Sequence, residues 1–296
     1  MVGTSSGQDA APLLSVGLPV YNGATVIGAA LECLRGQSLP GFEIVISDNG
    51  STDATEAICR AYAAENPNVR YFRQTTNIGA AANFKFVLDQ ARGSYFHWMG
   101  ADDIRSPSFL EDNVRFLQSH PDYVASTGRD RFLGASSSED ITFDLVGPPY
   151  ERFLQLLANA SHSHGIFYCV TMTDVLRGCA VVGRTFWAAD WAIDLFLASK
   201  GQINRNLTSW SAFGKAGASS RRNAYRAFRG HPMEAVLPLY SLSLYAWGLC
   251  EGFNFRQKAV VLIKLIGLNA RSAYERVFAA LYNHYSKVLR PIVRRR

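Results

Sequence analysis

Four short segments with the composition of β-strands alternate with helical segments over the first hundred residues. These strand-like segments span residues 13–21, 42–47, 69–73 and 95–99. Between them, the spacing of apolar residues and the polar turns predict helices over residues 24–36, from the turn at 48–53 to about residue 64, and over residues 80–91. Strands joined by helical crossovers predict a parallel sheet with right-handed connections, and hence an α/β fold.

A polar turn follows each of these strands or lies near its end. The turns are Asn22-Gly23, residues 48–53, residues 77–79 and Asp102-Asp103. Ligands of parallel sheets bind beyond the carboxyl ends of the strands, so the sequence predicts a binding site where these turns converge. Ser51 or Thr52 is predicted to cap the helix that follows the second turn.

The middle of the chain is less regular. Its patterns predict helices over residues 107–119, 150–159, 173–177 and 190–200, and strands over residues 123–127 and 165–170. Residues 128–149 are rich in Gly, Ser, Asp and Pro, which favours a loop and the main boundary of the chain.

Composition excludes several classes of protein. With 48% hydrophobic and 18% charged residues, a chain of 296 residues can bury a sizeable core and is neither disordered nor fibrous. Its five cysteines lack zinc or disulfide spacing, and residues 1–12 lack a signal-peptide pattern and predict a disordered leader. No apolar stretch is long enough to span a bilayer, so we expect a cytoplasmic protein.

The C-terminal region, residues 231–296, differs in character from the rest. Short apolar stretches over residues 236–250 and 258–268 precede a segment, 271–296, in which aromatic and aliphatic residues alternate with Arg and Lys. A basic amphipathic helix of this kind fits the surface of an anionic membrane. The alternatives are a helical pair that packs on the catalytic core, and a dimer contact.

The adjacent carboxylates of Asp102 and Asp103 are the clearest chemical signal. Two acids at the open end of a sheet repel each other unless a cation or strong donors compensate them. Mg²⁺ or Mn²⁺ shared with substrate phosphates is the natural partner, because hard cations prefer oxygen ligands. The alternative is that the pair caps the next helix.

Four sequence blocks, in order, resemble the inverting family 2 glycosyltransferases, which have a GT-A fold. The blocks are SVGLPVYN, SDNGSTD, NIGAAANFKFVLDQARGSYFHWMGADD and FWAADWAIDLFL. The resemblance implies a mostly parallel sheet flanked by helices, with a C-terminal helical extension. It divides the chain into a leader (residues 1–12), a nucleotide-sugar-binding half (13–127), an acceptor-binding half (128–230) and the extension (231–296).

The resemblance also implies roles for individual residues. The donor nucleotide would contact a set of residues in the four turns: Pro19, Val20, Tyr21, Asn22, Asp48, Asn49, Asn77, Gly79, Asn83 and Asp102. Family members commonly have Asp at position 49, so the identity of the base is left open. For Asn77, Gly79 and Asn83, helix capping is the alternative role.

The same resemblance assigns the catalytic groups. Asp102 and Asp103 match the second and third positions of an acidic metal motif whose first position is Ala101, with Asp103 as the direct ligand of Mn²⁺ or Mg²⁺. Asp190 matches the general base, and Asp194, one turn later, is the competing candidate. His164 and Trp191 are candidates for binding the acceptor.

The predicted function is metal-dependent, inverting transfer of one sugar from a nucleotide-diphosphate sugar to a hydroxyl of a glycan or lipid-linked acceptor. Bacterial surface polysaccharide or lipopolysaccharide assembly would suit such an enzyme at the inner face of the membrane. Residues Gln202 to Asn206 match the Gln-x-x-Arg-Trp element of processive synthases without its Trp, which favours transfer of a single sugar. The alternatives are a nucleotidyltransferase and a catalytically degenerate sugar-nucleotide or glycan-binding protein. Nucleic acid is not an expected partner, because no recognition motif is present.

Overall fold

The computed structural model describes residues 11–133, 143–214 and 224–284 of the chain. The described residues form two compact units. The first comprises Met1–Arg184 with Ile193–Ala224, and the second comprises Thr185–Ala192 with Tyr225–Arg296. Most of the predicted leader, residues 1–10, and the end of the basic segment, residues 285–296, lie outside the described residues.

The first unit is built on an eight-stranded mixed sheet with the strand order β3-β2-β1-β4-β7-β6-β8-β5. Parallel pairs join β1 to β2, β1 to β4, β2 to β3 and β6 to β8, and the other neighbours are antiparallel. The strands are β1 (Leu14–Val20), β2 (Glu43–Asp48), β3 (Val69–Arg73), β4 (Tyr95–Trp98), β5 (Ile104–Arg105), β6 (Tyr123–Phe132), β7 (Val170–Met172) and β8 (Gln202–Phe213).

Helices connect these strands and cover the sheet. The helices of this region are α1 (Ile27–Arg35), α2 (Thr55–Glu65), α3 (Ala80–Gln90), α4 (Phe109–Ser119), α5 (Pro149–Asn159), α6 (His164–Phe167) and α7 (Thr173–Arg177). One core cluster joins β1 and β2 to buried faces of α1, α2 and α4. Burial of β1 over its whole length, without polar alternation, is what a central parallel strand requires.

The second unit is helical among its described residues. Helix α8 (Ala189–Lys200) begins in this unit and continues in the first, and the unit also contains α9 (Ala224–Phe228), α10 (Tyr240–Gly248) and α11 (Phe255–His284). The described parts of the two predicted tail segments, residues 258–268 and 271–284, belong to a single helix, α11. No helix in the described part of the chain combines the length and the apolarity needed to cross a membrane.

Three local predictions are wrong. Residues 165–170 are not a strand, because α6 occupies His164–Phe167 and β7 starts only at Val170. The loop predicted from residue 128 starts later, since β6 continues to Phe132, and residues 134–142 lie outside the described part. Strands β5 and β8 were not predicted at all. Elsewhere the predicted strands and helices match the observed ones to within about three residues at each end.

Candidate active site

The turns after β1 and β2 are tied together by hydrogen bonds between side chains and backbone. The Asn22 N–H donates to Ser51 Oγ at 2.9 Å, and the Thr52 N–H donates to Asn22 Oδ1 at 2.8 Å. Asn22 has φ 50°, a left-handed conformation that asparagine tolerates better than most residues. The prediction that Ser51 or Thr52 caps α2 is therefore wrong, because α2 begins at Thr55 without a side-chain cap at Ala54 and Ser51 serves the neighbouring turn.

Asp48 ends β2 with its carboxylate completely enclosed. Oδ1 accepts the Ser51 N–H at 2.8 Å, and Oδ2 accepts the Tyr71 hydroxyl at 3.0 Å and Arg73 Nη1 at 3.1 Å. Burial, followed by the Asp48 carboxylate, raises the pKa of Tyr71, which stays a protonated donor. Asp48 thus fixes the conformation of the turn after β2.

Asn49 joins this turn to the loop before α3. Its Nδ2 donates to Asn77 Oδ1 at 3.0 Å and to the Gly79 carbonyl at 3.3 Å, while its Oδ1 accepts the Ile78 N–H at 2.9 Å. Gly79 has φ 88°, which favours glycine. Only an amide supplies both the donors and the acceptor that this buried position uses.

We expect Asn49→Asp to lower the stability of the first unit by about 1–3 kcal/mol, because the carboxylate would face two acceptors, at Asn77 and Gly79, without a donor. Thermal denaturation of the two proteins measures the effect. Asn77→Asp is the matched control, since Asn77 uses only its Oδ1 as an acceptor, and it should be close to wild type. Equal melting temperatures for wild type and Asn49→Asp would contradict this account.

The other residues that were predicted to bind the nucleotide sugar occupy two kinds of position. Tyr21, Asn22, Asn77 and Gly79 are exposed on the turns, where a ligand can reach them. Pro19 and Val20 lie inside β1 and are buried. Asn83 is also buried, and it exchanges hydrogen bonds with Ser47 at the end of β2 (Ser47 Oγ to Asn83 Oδ1, 2.6 Å; Asn83 Nδ2 to the Ser47 carbonyl, 3.0 Å). These three residues are therefore buried next to the turns and are not exposed on them.

The acidic pair lies in the turn between β4 and β5. Asp103 is 4% exposed: its Oδ1 accepts the Gly214 N–H at 3.1 Å, and its Oδ2 accepts the Gly100 N–H at 3.2 Å and Arg105 Nη2 at 3.3 Å. Asp102 is partly exposed beside it. A Cβ on Gly100 would lie 2.8 Å from Asp103 Oδ2 and 3.4 Å from Asp102 Oδ1, so the absence of a side chain at Gly100 makes room for both carboxylates.

These two carboxylates fit a divalent cation that is shared with a substrate. No group of three or more His, Cys, Asp and Glu that could hold a metal occurs within the described ranges. Mg²⁺ bound to one or two carboxylates and to substrate phosphates needs no such group. Three donors occupy the Asp103 carboxylate, which has about four acceptor positions, so room for a cation is left on it.

The predicted base lies at the start of α8, in the second unit. Asp190 is exposed in the first turn of this helix, and Ala188, just before the helix, has φ 64°. A left-handed backbone at a residue other than glycine is strained, and such strain is concentrated at functional sites. Trp191 follows in the same turn and is partly exposed.

Asp194, the competing candidate for the base, lies in the first unit and is fully buried. Its Oδ2 accepts the Ser163 hydroxyl at 2.7 Å, which anchors the segment before α6. A carboxylate held in this way serves the packing of the protein, so exposure favours Asp190 as the base.

His164 begins α6, with its ring exposed to solvent. The ring packs edge-on against Phe132 at 5.4 Å between centroids and lies 6.2 Å from Phe213. Behind it, Gly165 donates its N–H to Asp130, which is paired with Arg205 Nη1 at 2.7 Å. Sequence reasoning missed this pair, along with Arg73 and Arg105, because the partner of an arginine in the folded chain leaves no periodic pattern in the sequence.

The parallel strands β1–β4, the joined turns after β1 and β2 and the acidic pair after β4 form the arrangement expected of a domain that binds a nucleotide sugar. Residues 15–172, just over half of the chain, match the model of Glycosyl transferase family 2, and the chain belongs to this family.

Several bacterial proteins are similar in sequence. Uncharacterized protein y4gI of Sinorhizobium fredii is 29% identical over 224 residues, which are 72% of this chain and 24% of that protein. Uncharacterized glycosyltransferase RT0329 of Rickettsia typhi is 30% identical over 36% of this chain and 32% of its own length. Uncharacterized protein Rv1520 of Mycobacterium tuberculosis is 36% identical over 42% of this chain and 36% of its own length. The chain thus spans less than half of each of these relatives.

Two solved structures share the fold. S. aureus TarS 1-349 in complex with UDP-GlcNAc has a TM-score of 0.64 and 18% identity, over 86% of this chain and 71% of that chain. The mannosyltransferase PcManGT from Pyrobaculum calidifontis, in complex with GDP-Man and Mn²⁺, has a TM-score of 0.51 and 19% identity, over 94% and 83% of the two chains. The predicted GT-A fold class is confirmed.

Proposed function

We propose that this protein is a metal-dependent inverting glycosyltransferase that moves one sugar from a nucleotide-diphosphate sugar to a hydroxyl of a glycan or lipid-linked acceptor. The observation that carries the proposal is the joined pair of turns after β1 and β2, in the same sheet as the acidic turn after β4. Similar folds hold UDP-GlcNAc in TarS and GDP-Man with Mn²⁺ in PcManGT, which supports a nucleotide-sugar donor here.

In this mechanism the turns bind the donor nucleotide through Tyr21, Asn22 and the backbone that Asp48 and Asn49 hold in place. Asp102 and Asp103 would hold Mn²⁺ or Mg²⁺, which neutralises the charge that develops on the departing diphosphate. Asp190 takes the proton from the acceptor hydroxyl as its oxygen attacks the sugar on the face opposite the diphosphate. Attack from that face inverts the configuration of the sugar. His164 and Trp191 are proposed to bind the acceptor.

The experiment that tests the donor site is a comparison of sugar nucleotides by isothermal titration calorimetry, each with and without Mn²⁺. We expect one nucleotide to bind, with an affinity that falls when the metal is removed by a chelator. Binding of every nucleotide equally, or of none, would contradict the proposal and favour a degenerate or glycan-binding protein.

We also propose that the protein works at the inner face of the cell membrane, held there by the second unit. Charge is strongly segregated along the chain: residues 225–296 contain 12 Lys and Arg against three Asp and Glu, whereas residues 1–224 contain 18 against 21. A segment with this excess of positive charge is attracted to anionic lipid headgroups. Such a location suits a lipid-linked acceptor in bacterial surface polysaccharide or lipopolysaccharide assembly.

Helix α11 has two contrasting faces. Val261, Leu265 and Asn269 are buried, and Asn269 Oδ1 accepts the Leu239 N–H at 2.9 Å, just before α10. Elsewhere on the helix large apolar side chains are exposed, with Ile263 at 68% and Ile266 at 60%. Exposed apolar side chains flanked by basic ones are the pattern of a helix that lies in a membrane interface.

We expect the protein to sediment with vesicles that contain phosphatidylglycerol and to stay in solution with phosphatidylcholine alone, because binding needs both charge and apolar contact. Replacing Ile263 and Ile266 together with Glu should abolish this binding. Leu207→Glu, which changes a side chain that is 59% exposed in the first unit, is the matched control and should bind normally. Equal sedimentation of all three proteins would contradict the membrane proposal. If instead the protein formed a concentration-dependent dimer, and the two Glu substitutions abolished it, this face of α11 would bind a second copy of the chain.

A further inference from the structure

A cation lies buried directly behind the acidic turn. The side chain of Arg105, in β5, is 0% exposed, although Arg105 is only two residues from Asp103. Burying a guanidinium is costly unless its charge is compensated and its N–H groups are satisfied. A position this close to the carboxylates therefore calls for an explanation beyond packing.

Three aromatic rings and the backbone fix the orientation of this guanidinium. Its Cζ lies 5.5 Å from the ring centroid of Phe109, 5.7 Å from that of Tyr168 and 5.4 Å from that of Phe213. Nη1 of the guanidinium donates to the Ile104 carbonyl at 3.2 Å. The main chain of Arg105 is held separately by Cys33, whose Sγ accepts the Arg105 backbone N–H at 3.1 Å and donates to the Arg105 carbonyl at 3.3 Å. Rings around a desolvated guanidinium stabilise it through cation–π contacts.

The guanidinium also restricts how Asp103 can act. Nη2 donates to Asp103 Oδ2, which already accepts the Gly100 N–H, while Gly214 donates to Oδ1. These three donors fix the plane of the carboxylate. A divalent cation held by Asp103 would share this carboxylate with the Arg105 charge, in a buried region where solvent screens poorly.

We infer that Arg105 is a positioning residue that makes metal binding at Asp102 and Asp103 depend on the donor diphosphate. The inference rests on the proposed function. Repulsion from Arg105 opposes a cation that arrives alone, and the negative charges of a nucleotide diphosphate offset that repulsion. The metal and the nucleotide then bind together, and the metal is released when the nucleoside diphosphate leaves.

The test is a titration of the full-length protein with Mn²⁺, in which free Mn²⁺ is followed by electron paramagnetic resonance, with and without the nucleoside diphosphate of the donor that binds. For wild type we expect the nucleotide to tighten Mn²⁺ binding by roughly tenfold or more. Arg105→Met should bind Mn²⁺ alone more tightly and reduce this coupling to about threefold or less. Arg105→Lys keeps the charge and should keep most of the coupling.

Arg205→Met is the matched control, because Arg205 forms a comparably buried ion pair with Asp130 rather than with an acid of the turn. In this variant the nucleotide should tighten Mn²⁺ binding as much as in wild type. If Arg105→Met does not fold, the experiment uses Arg105→Gln instead, which removes the charge and keeps an N–H donor for Asp103. The inference would be overturned if, in folded Arg105→Met or Arg105→Gln, the nucleotide tightened Mn²⁺ binding as much as in wild type. That result would leave the proposed function intact. Absence of any nucleotide-dependent Mn²⁺ binding in wild type would instead overturn the metal-dependent function, and the inference with it.

Discussion

Replacing Asp190 with asparagine is expected to lower the rate of sugar transfer by about 10²- to 10⁴-fold, because an amide cannot accept the proton of the acceptor hydroxyl. The side chain is exposed at the start of α8, next to the strained backbone of Ala188, so the substitution should leave the fold intact. The measurement is kcat at saturating donor and acceptor, together with the Kd of the donor, which should not change.

Asp194→Asn distinguishes the two acids of α8. Asp194 is buried and accepts the Ser163 hydroxyl, so this substitution should lower the melting temperature and leave kcat within about tenfold of wild type. If Asp194→Asn lost activity while Asp190→Asn kept it, the assignment of the base would be wrong.

Asp103→Asn is expected to abolish metal-dependent donor binding and to reduce kcat to background, because a neutral amide is a poor ligand for a hard cation. The structure adds a cost in stability that the sequence did not indicate. The substitution leaves Arg105 buried without its carboxylate, which costs about 3–5 kcal/mol. The measurements are the melting temperature and the donor Kd, each with and without Mn²⁺.

Asp130→Asn is the control that shows whether Asp103→Asn loses donor binding because a metal ligand is missing or because the protein is less stable. Asp130 forms a comparably enclosed ion pair with Arg205, so its replacement should lower the melting temperature to a similar extent. Burial raises the pKa of Asp130, yet the two donors from Gly165 and Arg205 still hold its carboxylate. Mn²⁺-dependent donor binding that is lost equally in both variants would show that Asp103 acts only through folding.

Strand positions in residues 13–127 followed closely from the sequence. β3 runs from Val69 to Arg73 as predicted, because a short run with Val, Tyr and Phe between polar segments favours a strand. The convergence of the polar turns followed from the same rule. The contacts that hold those turns could not be predicted from the sequence, because the pairing of Asp48 with Arg73 depends on the register between β2 and β3.

The remaining differences come from contacts that are distant in the sequence. β8 pairs with β6, about eighty residues away, and four residues of β8 (206–209) bulge out opposite Gly128. That bulge breaks the alternation by which a strand is recognised. Residues 165–170 look like a strand in isolation, but the Gly165 N–H is used by Asp130 on β6. A Cβ at Gly165 would lie 2.0 Å from Asp130 Oδ1, so only glycine fits there.

The most direct test of the central claim is the thermal stability of the protein, measured by differential scanning fluorimetry with UDP-, GDP-, dTDP- and CDP-sugars, each with and without Mn²⁺. A ligand that binds only the folded state raises the melting temperature. We predict a rise for one class of nucleotide that requires Mn²⁺ and is absent in Asp103→Asn. If no nucleotide raised the melting temperature of the wild-type protein, with or without Mn²⁺, the assignment of a metal-dependent donor site would be wrong.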